Sequence, residues 1–368
     1  MASRFLTNLK GIDWLLLVAI FLLICFGLSS LYSLGLSTDP HNFGLLFKQI
    51  LFAVVGFGLL FLFMLLDYRW WYALSGWLYV TSIVLLLLLL FFGQTLRGTT
   101  GWFILGNFSF QPVELAKLSV ILFLARCLSG WTAEKYSFKL WFKSGLVVLP
   151  LIVLAILQPD FGSALVIAVI WFGMLWLTGV NKKHLLIFLL IIILLAGLGW
   201  QFLLRNYQKT RILTFLNPAV DPLGSGYNIR QSLIAIGSGG MWGRGLGLGT
   251  QSSLHFLPVS EADFIFTALG EELGFVGLVV ILFLFLLIFY RLFKIMRNIR
   301  DDFSLYLVFG LSLMFFVQLV INVGMTIGIL PVTGLPLPFV SYGGSFLIIS
   351  LISVGIILSV NLRQKSGL

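Results

Sequence analysis

Few residues in this chain can do chemistry, and most of those that can stand inside or beside apolar runs. Asp263 lies where Leu257-Pro-Val-Ser-Glu-Ala-Asp enters a long apolar segment. A carboxylate at such a junction can accept a proton or hold a hydroxyl or a cation, and Asp is equally a good helix cap. Glu271 and Glu272 follow, roughly 12 Å along the axis if the segment is one helix. Adjacent carboxylates in an apolar span are costly, so they face protein or water, as packed acids or as cavity lining. Glu114 and Lys117 fall at i, i+3 in Gln111-Pro-Val-Glu-Leu-Ala-Lys, on one helix face behind a proline suited to the first turn. They read either as a paired charge that fixes helix packing or as the polar wall of a cavity shared with Asp263. Asp160, in Gln158-Pro-Asp-Phe-Gly-Ser, is a turn or capping residue or belongs to the same cavity. Ser341 and Tyr342 end the stretch 322–345, which holds three of the ten prolines. Irregular backbone at membrane depth is tolerated only where it is buried in protein or lines a wet cavity.

Cations are supplied by a different kind of segment. The stretch 205–262 is long for a connection between apolar runs, and such connections are usually functional. It holds nine glycines between Gly224 and Gly249, interleaved with Tyr227, Ile229, Leu233, Ile234, Ile236 and Trp242 and with Arg230, Gln231 and Arg244. Glycine lets backbone approach a ligand closely. The mix suits a structured lid at a membrane surface; a plain glycine-rich loop is the alternative. Gly243, Gly245 and Gly247 alternate, but no strand precedes them and no βαβ unit surrounds them, so a dinucleotide site is not indicated. Cys25, Cys127, His41, His184 and His255 are scattered and form neither a disulfide framework nor a metal motif.

The elements that must position these residues are membrane spans. Of 368 residues, 60% are hydrophobic and 10% charged, against about 25% charged in soluble proteins. This excludes a soluble enzyme, a disordered chain and a nucleic-acid-binding domain, and it indicates an all-α polytopic membrane protein, one domain over 1–368. A span needs about 20 apolar residues, and ten candidates satisfy or approach this: 13–35, 45–66, 73–93, 113–129, 144–158, 162–180, 185–204, 263–290, 303–328 and 343–361. The first follows a basic start but is too long for a signal peptide core and lacks a small-residue cleavage site. The net charge of +10 is a topology signal. Arg4, Lys10, Arg69, Arg126, Lys182, Lys183, Arg291, Lys294, Arg297, Arg300 and Arg363 all fall on one side if both termini are cytoplasmic. The segment 205–262, between the seventh and eighth helices, is then extracytoplasmic. Asp263, Glu114–Lys117, Asp160 and 322–345 share that outer face.

At these residues the sequence resembles the SEDS family (shape, elongation, division, sporulation). The matching motifs are Gln111-Pro112-Val-Glu114-x-x-Lys117, Gln158-Pro159-Asp160-Phe-Gly162, Asn217-Pro218-x-x-Asp221-Pro222, Gln231-Ser232-x-x-Ala235-Ile236-Gly237, Asp263-Phe-Ile-Phe-x-x-x-Gly270-Glu271-Glu272 and Leu330-Pro331-x-Thr333-Gly334 through Ser341-Tyr342-Gly343-Gly344-Ser345. They run in order along nearly the whole chain. Pro258-Val-Ser-Glu-Ala departs from the Pro-Glu-x-x-Thr common in the family. Gly249-Thr-Gln-Ser and Phe256-Leu-Pro look more like its RodA branch than its FtsW branch.

The resemblance implies ten helices in the bacterial cytoplasmic membrane and polymerisation of lipid II into peptidoglycan strands for elongation and rod shape. It also implies a class B penicillin-binding protein as partner, an essential acid at Asp263 and a Glu/Lys pair at Glu114 and Lys117. In such a reaction the lipid II sugar hydroxyl is the acceptor and the nascent strand carries the lipid pyrophosphate. Asp263 would be the base, and Arg230 or Arg244 would offset pyrophosphate charge. No dedicated metal cage is visible, so Mg²⁺ or Mn²⁺ would be shared with substrate phosphate. The rivals are an FtsW-type polymerase acting in division, a lipid II flippase and a scaffold for the penicillin-binding protein.

Overall fold

The computed structural model describes residues 11–37, 41–96, 99–106, 108–131, 138–179, 214, 225–253, 256 and 259–366. Helices dominate: α1 (Trp14–Leu36), α2 (Gly44–Leu65), α3 (Tyr68–Phe92), α4 (Pro112–Gly130), α5 (Phe138–Leu157) and α6 (Phe161–Leu177). After an interval come α7 (Ser225–Gly239), the short α8 (Thr250–Ser253), α9 (Ile265–Met296), α10 (Asp302–Thr326) and α11 (Gly344–Ser366). Among the described residues seven of these are long and apolar enough to cross a membrane. α6 is apolar but shorter, and α4 carries Glu114, Lys117 and Arg126. The candidate span 185–204 and the first part of the 205–262 segment lie outside the described residues. The rest of that segment is not a plain loop, since it contains α7 and α8.

Acidic residues mark where several helices begin. Asp13, Asp67, Asp160 and Asp301 each cap a helix by accepting from a backbone N–H two or three residues on, at 2.9–3.2 Å. Side-chain contacts then define two ends of the bundle. At one end Arg291 pairs with Asp13 at 2.6 Å, and Arg363 reaches Asp67 at 3.5 Å and the Leu65 carbonyl at 2.8 Å. At the other, the Gln158 amide donates to the Leu86 carbonyl at 2.7 Å and the Gln111 N–H to the Ser345 hydroxyl at 3.2 Å. One hydrophobic core, from Ile12 to Leu362, runs between them.

Two features correct the all-α, one-span-per-run expectation. The α3–α4 connection is a three-stranded antiparallel sheet: β1 (Gln94–Leu96), β2 (Thr99–Leu105) and β3 (Phe108–Phe110), in that order. Thr99, Thr100, Trp102, Phe103 and Ile104 have the β-branched and aromatic character that suits a strand, and Phe103 pairs with Phe110. This marks the sheet end of the bundle. The second feature is α9, which breaks at Gly274 (φ 66°, ψ −167°). A Cβ at Gly270 would lie 3.1 Å from the Leu278 side chain. Eight residues of straight helix would separate these positions by roughly 12 Å. The piece 265–273 therefore folds back against the start of the long piece 275–296.

Candidate functional site

Asp263 lies in a turn over 259–264, where the Val259 carbonyl accepts the N–H groups of Ala262, Asp263 and Phe264 at 3.1–3.4 Å. The cap position of α9 falls on Phe264, one residue later than the capping alternative for Asp263 requires. The turn is gripped by the segment 330–343 that joins α10 to α11. The Ser341 hydroxyl donates to the Ala262 carbonyl at 2.6 Å and accepts the Leu337 N–H at 2.8 Å. The Tyr342 N–H donates to the Glu261 carbonyl at 2.9 Å. Here Ser341 and Tyr342 hold the backbone before Asp263, in the stretch that departs from the family pattern.

Gly334 (φ +73°) passes beside the acid, and a Cβ there would be 3.3 Å from Asp263 Oδ2. Asn322, fully buried on α10, sends both amide hydrogens into the site: its Nδ2 donates to the Asp263 carbonyl at 2.9 Å and to the Leu335 carbonyl at 2.8 Å. Gln49 on α2 supports the far side, donating to the Ser341 carbonyl at 3.1 Å and accepting the Gly343 N–H at 3.3 Å.

The same segment reaches the other polar breaks. A Cβ at Gly162 would be 3.0 Å from the Thr333 carbonyl, so the start of α6, capped by Asp160, packs on it. Asp160 is near enough to Glu114 to interact with it electrostatically. Glu114 and Lys117 form a buried ion pair at 2.7 Å, with the ammonium 5.8 Å from the centre of the Phe346 ring. The beginnings of α4, α6, α9 and α11 thus meet at the sheet end around Asp263, Asp160 and the Glu114–Lys117 pair. Each brings the positive end of its dipole, which favours negative charge; at α6 the Asp160 carboxylate already takes that place.

The glycine-rich segment is placed differently. α7 packs through Ala235 on Phe264 and Val332, and its buried Ser232 bonds to the Thr267 hydroxyl and the Thr326 carbonyl, both at 2.6 Å. Gln231 is half-buried on α7 and Arg230 is exposed. After α7 the loop 240–249 plugs the break in α9. Phe275 and Val276 donate to the carbonyls of Gly240 and Met241, while Arg244 and Gly245 donate to the carbonyls of Glu271 and Glu272, all at 2.9–3.1 Å.

Glu271 and Glu272 hold this loop. The Glu271 carboxylate accepts the Gln251 N–H at 2.9 Å. Glu272 accepts from the Ser33 hydroxyl of α1, which in turn accepts the Gly247 N–H at 2.9 Å. The acids stand at the far end of the short helical piece that begins beside Asp263, and the Gly274 break sets that end against the loop instead of leading straight into the long piece. Arg244 is exposed and bonds to the Ser238 carbonyl at 3.2 Å and the Thr250 hydroxyl at 3.0 Å.

Chemically, the arrangement offers a half-buried carboxylate on a turn, a fixed cation–carboxylate pair and helix starts whose dipoles favour an anion. Among the described residues no group of three His, Cys, Asp or Glu side chains is placed to hold a metal. A cation at Asp263 would thus take most of its ligands from a substrate. Sequence reasoning gave no separate role to Asn322, Gln49, Ser345 or Ser33, although Asn322 and Ser345 bound the stretch 322–345. The signal for the first two was an amide inside an apolar span, which has to find a partner.

A family model described as cell cycle protein, FtsW/RodA/SpoVE, matches residues 10–366. The chain is 35% identical to a probable peptidoglycan glycosyltransferase FtsW of Geobacter sp. (strain M18), over 98% of this chain and 99% of that one. It is 39% identical to the peptidoglycan glycosyltransferase MrdB of Escherichia coli K12, over 79% of each chain. Among solved structures, rod shape determining protein RodA of Thermus thermophilus superposes with a TM-score of 0.70 at 31% identity, covering 96% of this chain and 97% of that one. A chain from a peptidoglycan synthase complex, described as coordinating polymerization and crosslinking, superposes with a TM-score of 0.80 at 33% identity, covering 96% and 98%.

Proposed function

The chain belongs to the FtsW/RodA/SpoVE family of cell cycle proteins, and we propose that it is a peptidoglycan glycosyltransferase that polymerises lipid II into glycan strands. It is a multi-pass protein of the bacterial inner membrane. The observation that carries the activity is the meeting of Asp263, Asp160 and the Glu114–Lys117 pair where four helices begin. In the proposed reaction the sugar hydroxyl of lipid II attacks the anomeric carbon at the reducing end of the nascent strand. The bond from that carbon to the lipid pyrophosphate breaks, and the hydroxyl proton passes to the Asp263 carboxylate. A base positioned in this way typically contributes about 10²–10⁴ in rate. The helix starts offset the charge of the leaving pyrophosphate, and a Mg²⁺ or Mn²⁺ ion shared with substrate phosphate would add to this.

Ten helices, cytoplasmic termini and an extracytoplasmic site complete the reading. The skew of Lys294, Arg297, Arg300 and Arg363 to the end opposite the sheet supports this orientation. The elongation role, with a class B penicillin-binding protein as partner, rests on the RodA-like stretches of the loop; an FtsW-type role in division is the alternative. The test is purified protein with lipid II. Glycan polymer supports the proposal, whereas translocation of lipid II without polymer would make the chain a flippase.

A further inference from the structure

The segment that follows the interval before Ser225 buries Ile229 and Ala235 against the protein but also turns a second apolar face outward. A connection standing in water would expose polar side chains and bury apolar ones. Here Ser232 is fully buried, whereas its neighbours Leu233 and Ile234 are each 47% exposed. The pattern continues into the loop, where Met241 is 59%, Trp242 81% and Leu248 67% exposed. Arg230 and Arg244 are exposed on the same stretch, and no acidic residue lies between Ser225 and Thr250.

The depth of the loop follows from its bonds. The Gly247 N–H donates to Ser33, and a Cβ at Gly247 would lie 3.5 Å from the Leu36 side chain, so the loop rests on the last turn of α1. At their other ends α1 and α9 are joined by the Asp13–Arg291 pair. The piece of α9 from 275 to 296 rises about 33 Å, close to the hydrocarbon thickness of roughly 30 Å. The loop is therefore level with the edge of the hydrocarbon. The side chains next along α9 are exposed and apolar: Phe275, Val279, Val280 and Phe283. The apolar surface of the loop continues that lipid-facing strip. Its backbone can be there because the broken ladder of α9 supplies partners for it.

We propose that α7 and the loop 240–249 are embedded in the membrane leaflet at the sheet end, where Leu233, Ile234, Trp242 and Leu248 meet acyl chains. Arg230 and Arg244 lie at the level of the lipid phosphates, and the tryptophan sits where indole rings are favoured. The segment is then a fixed part of the membrane surface beside the site, and a lipid-borne substrate moving in the plane of the leaflet meets it before reaching Asp263.

The test places a nitroxide at Leu248→Cys, and separately at Trp242→Cys, in full-length protein with Cys25→Ala and Cys127→Ala. The protein is reconstituted in vesicles of phosphatidylethanolamine and phosphatidylglycerol. Collision rates with oxygen and with a neutral nickel chelate report depth, and Phe283→Cys gives the lipid-facing reference. Two sites keep the test valid if one variant fails to fold. The expected result is oxygen accessibility several-fold above that of nickel, as at position 283. Nickel accessibility equal to or above that of oxygen would put the loop in water and overturn the proposal. Shielding from both reagents would mean that a second copy of the chain covers the surface, and would overturn it equally.

Discussion

Lys117 is fully buried and its ammonium is paired with Glu114 at 2.7 Å. Removing one partner of a buried pair typically costs about 3–5 kcal/mol, mostly because the other charge is left uncompensated. Lys117→Ala is therefore expected to lower both the thermal midpoint and polymerisation, and Lys117→Ala with Glu114→Ala to recover the midpoint but not polymerisation. Scanning calorimetry or tryptophan fluorescence of the two variants, alongside the polymer assay, checks this. Recovery of both quantities in the double variant would reduce the pair to packing. Asn322 is the second case. Its amide hydrogens fix the backbone of Asp263 and Leu335, and each such bond is worth about 0.5–1.5 kcal/mol. Asn322→Ala is expected to cost about 1–3 kcal/mol in stability and to slow polymerisation per folded molecule, with the Michaelis constant for lipid II little changed. A loss of activity that only tracks the loss of folded protein would contradict the positioning role. Glu114 and Lys117 were legible in the sequence because i, i+3 spacing makes a local pair. The partners of Asn322 and Gln49 were not, because they are backbone groups well outside the local helical spacing.

At the level of elements, the most informative feature is the break in α9. The apolar run from Ile265 is interrupted before Gly274 only by Glu271 and Glu272, and hydrophobic periodicity alone does not separate one helix from two. What makes the break tolerable is the loop: four backbone bonds from 240–245 replace those the helix loses. Gly274 has φ 66°, and a Cβ would collide with the Gly243 nitrogen. Gly274→Ala is accordingly expected to destabilise the protein by about 1–3 kcal/mol or more. Gly58→Ala, where nothing lies within 4 Å of the added methyl, is expected to be neutral or to stabilise α2 by up to about 1 kcal/mol. Thermal melting of the two variants in the same detergent is the check; equal midpoints would contradict the broken-helix account. The three-stranded sheet escaped the sequence for another reason. Its strands fill the short interval between two spans, and a short β-pattern there cannot be told from an ordinary loop.

For the whole molecule, helix positions followed from the length of apolar runs: α1, α2 and α10 lie within a few residues of the expected spans. The convergence on one end was also legible, since every second helix must begin on the same side. Orientation rests on the basic end of the bundle. In protein lacking Cys25 and Cys127, Ser253→Cys is expected to react with an impermeant thiol reagent on intact spheroplasts; labelling only after permeabilisation would invert the topology. The role of Asp263 in glycan polymerisation is read by giving lipid II to purified wild-type protein and to Asp263→Asn prepared identically. Asn keeps the size of the side chain but removes its charge and proton-accepting carboxylate, while the turn remains held by Ser341, Tyr342 and Asn322. Polymer is expected from the wild type, and from the variant a normal thermal midpoint with a rate lower by about 10²–10⁴. Polymerisation by Asp263→Asn at close to the wild-type rate would contradict that role.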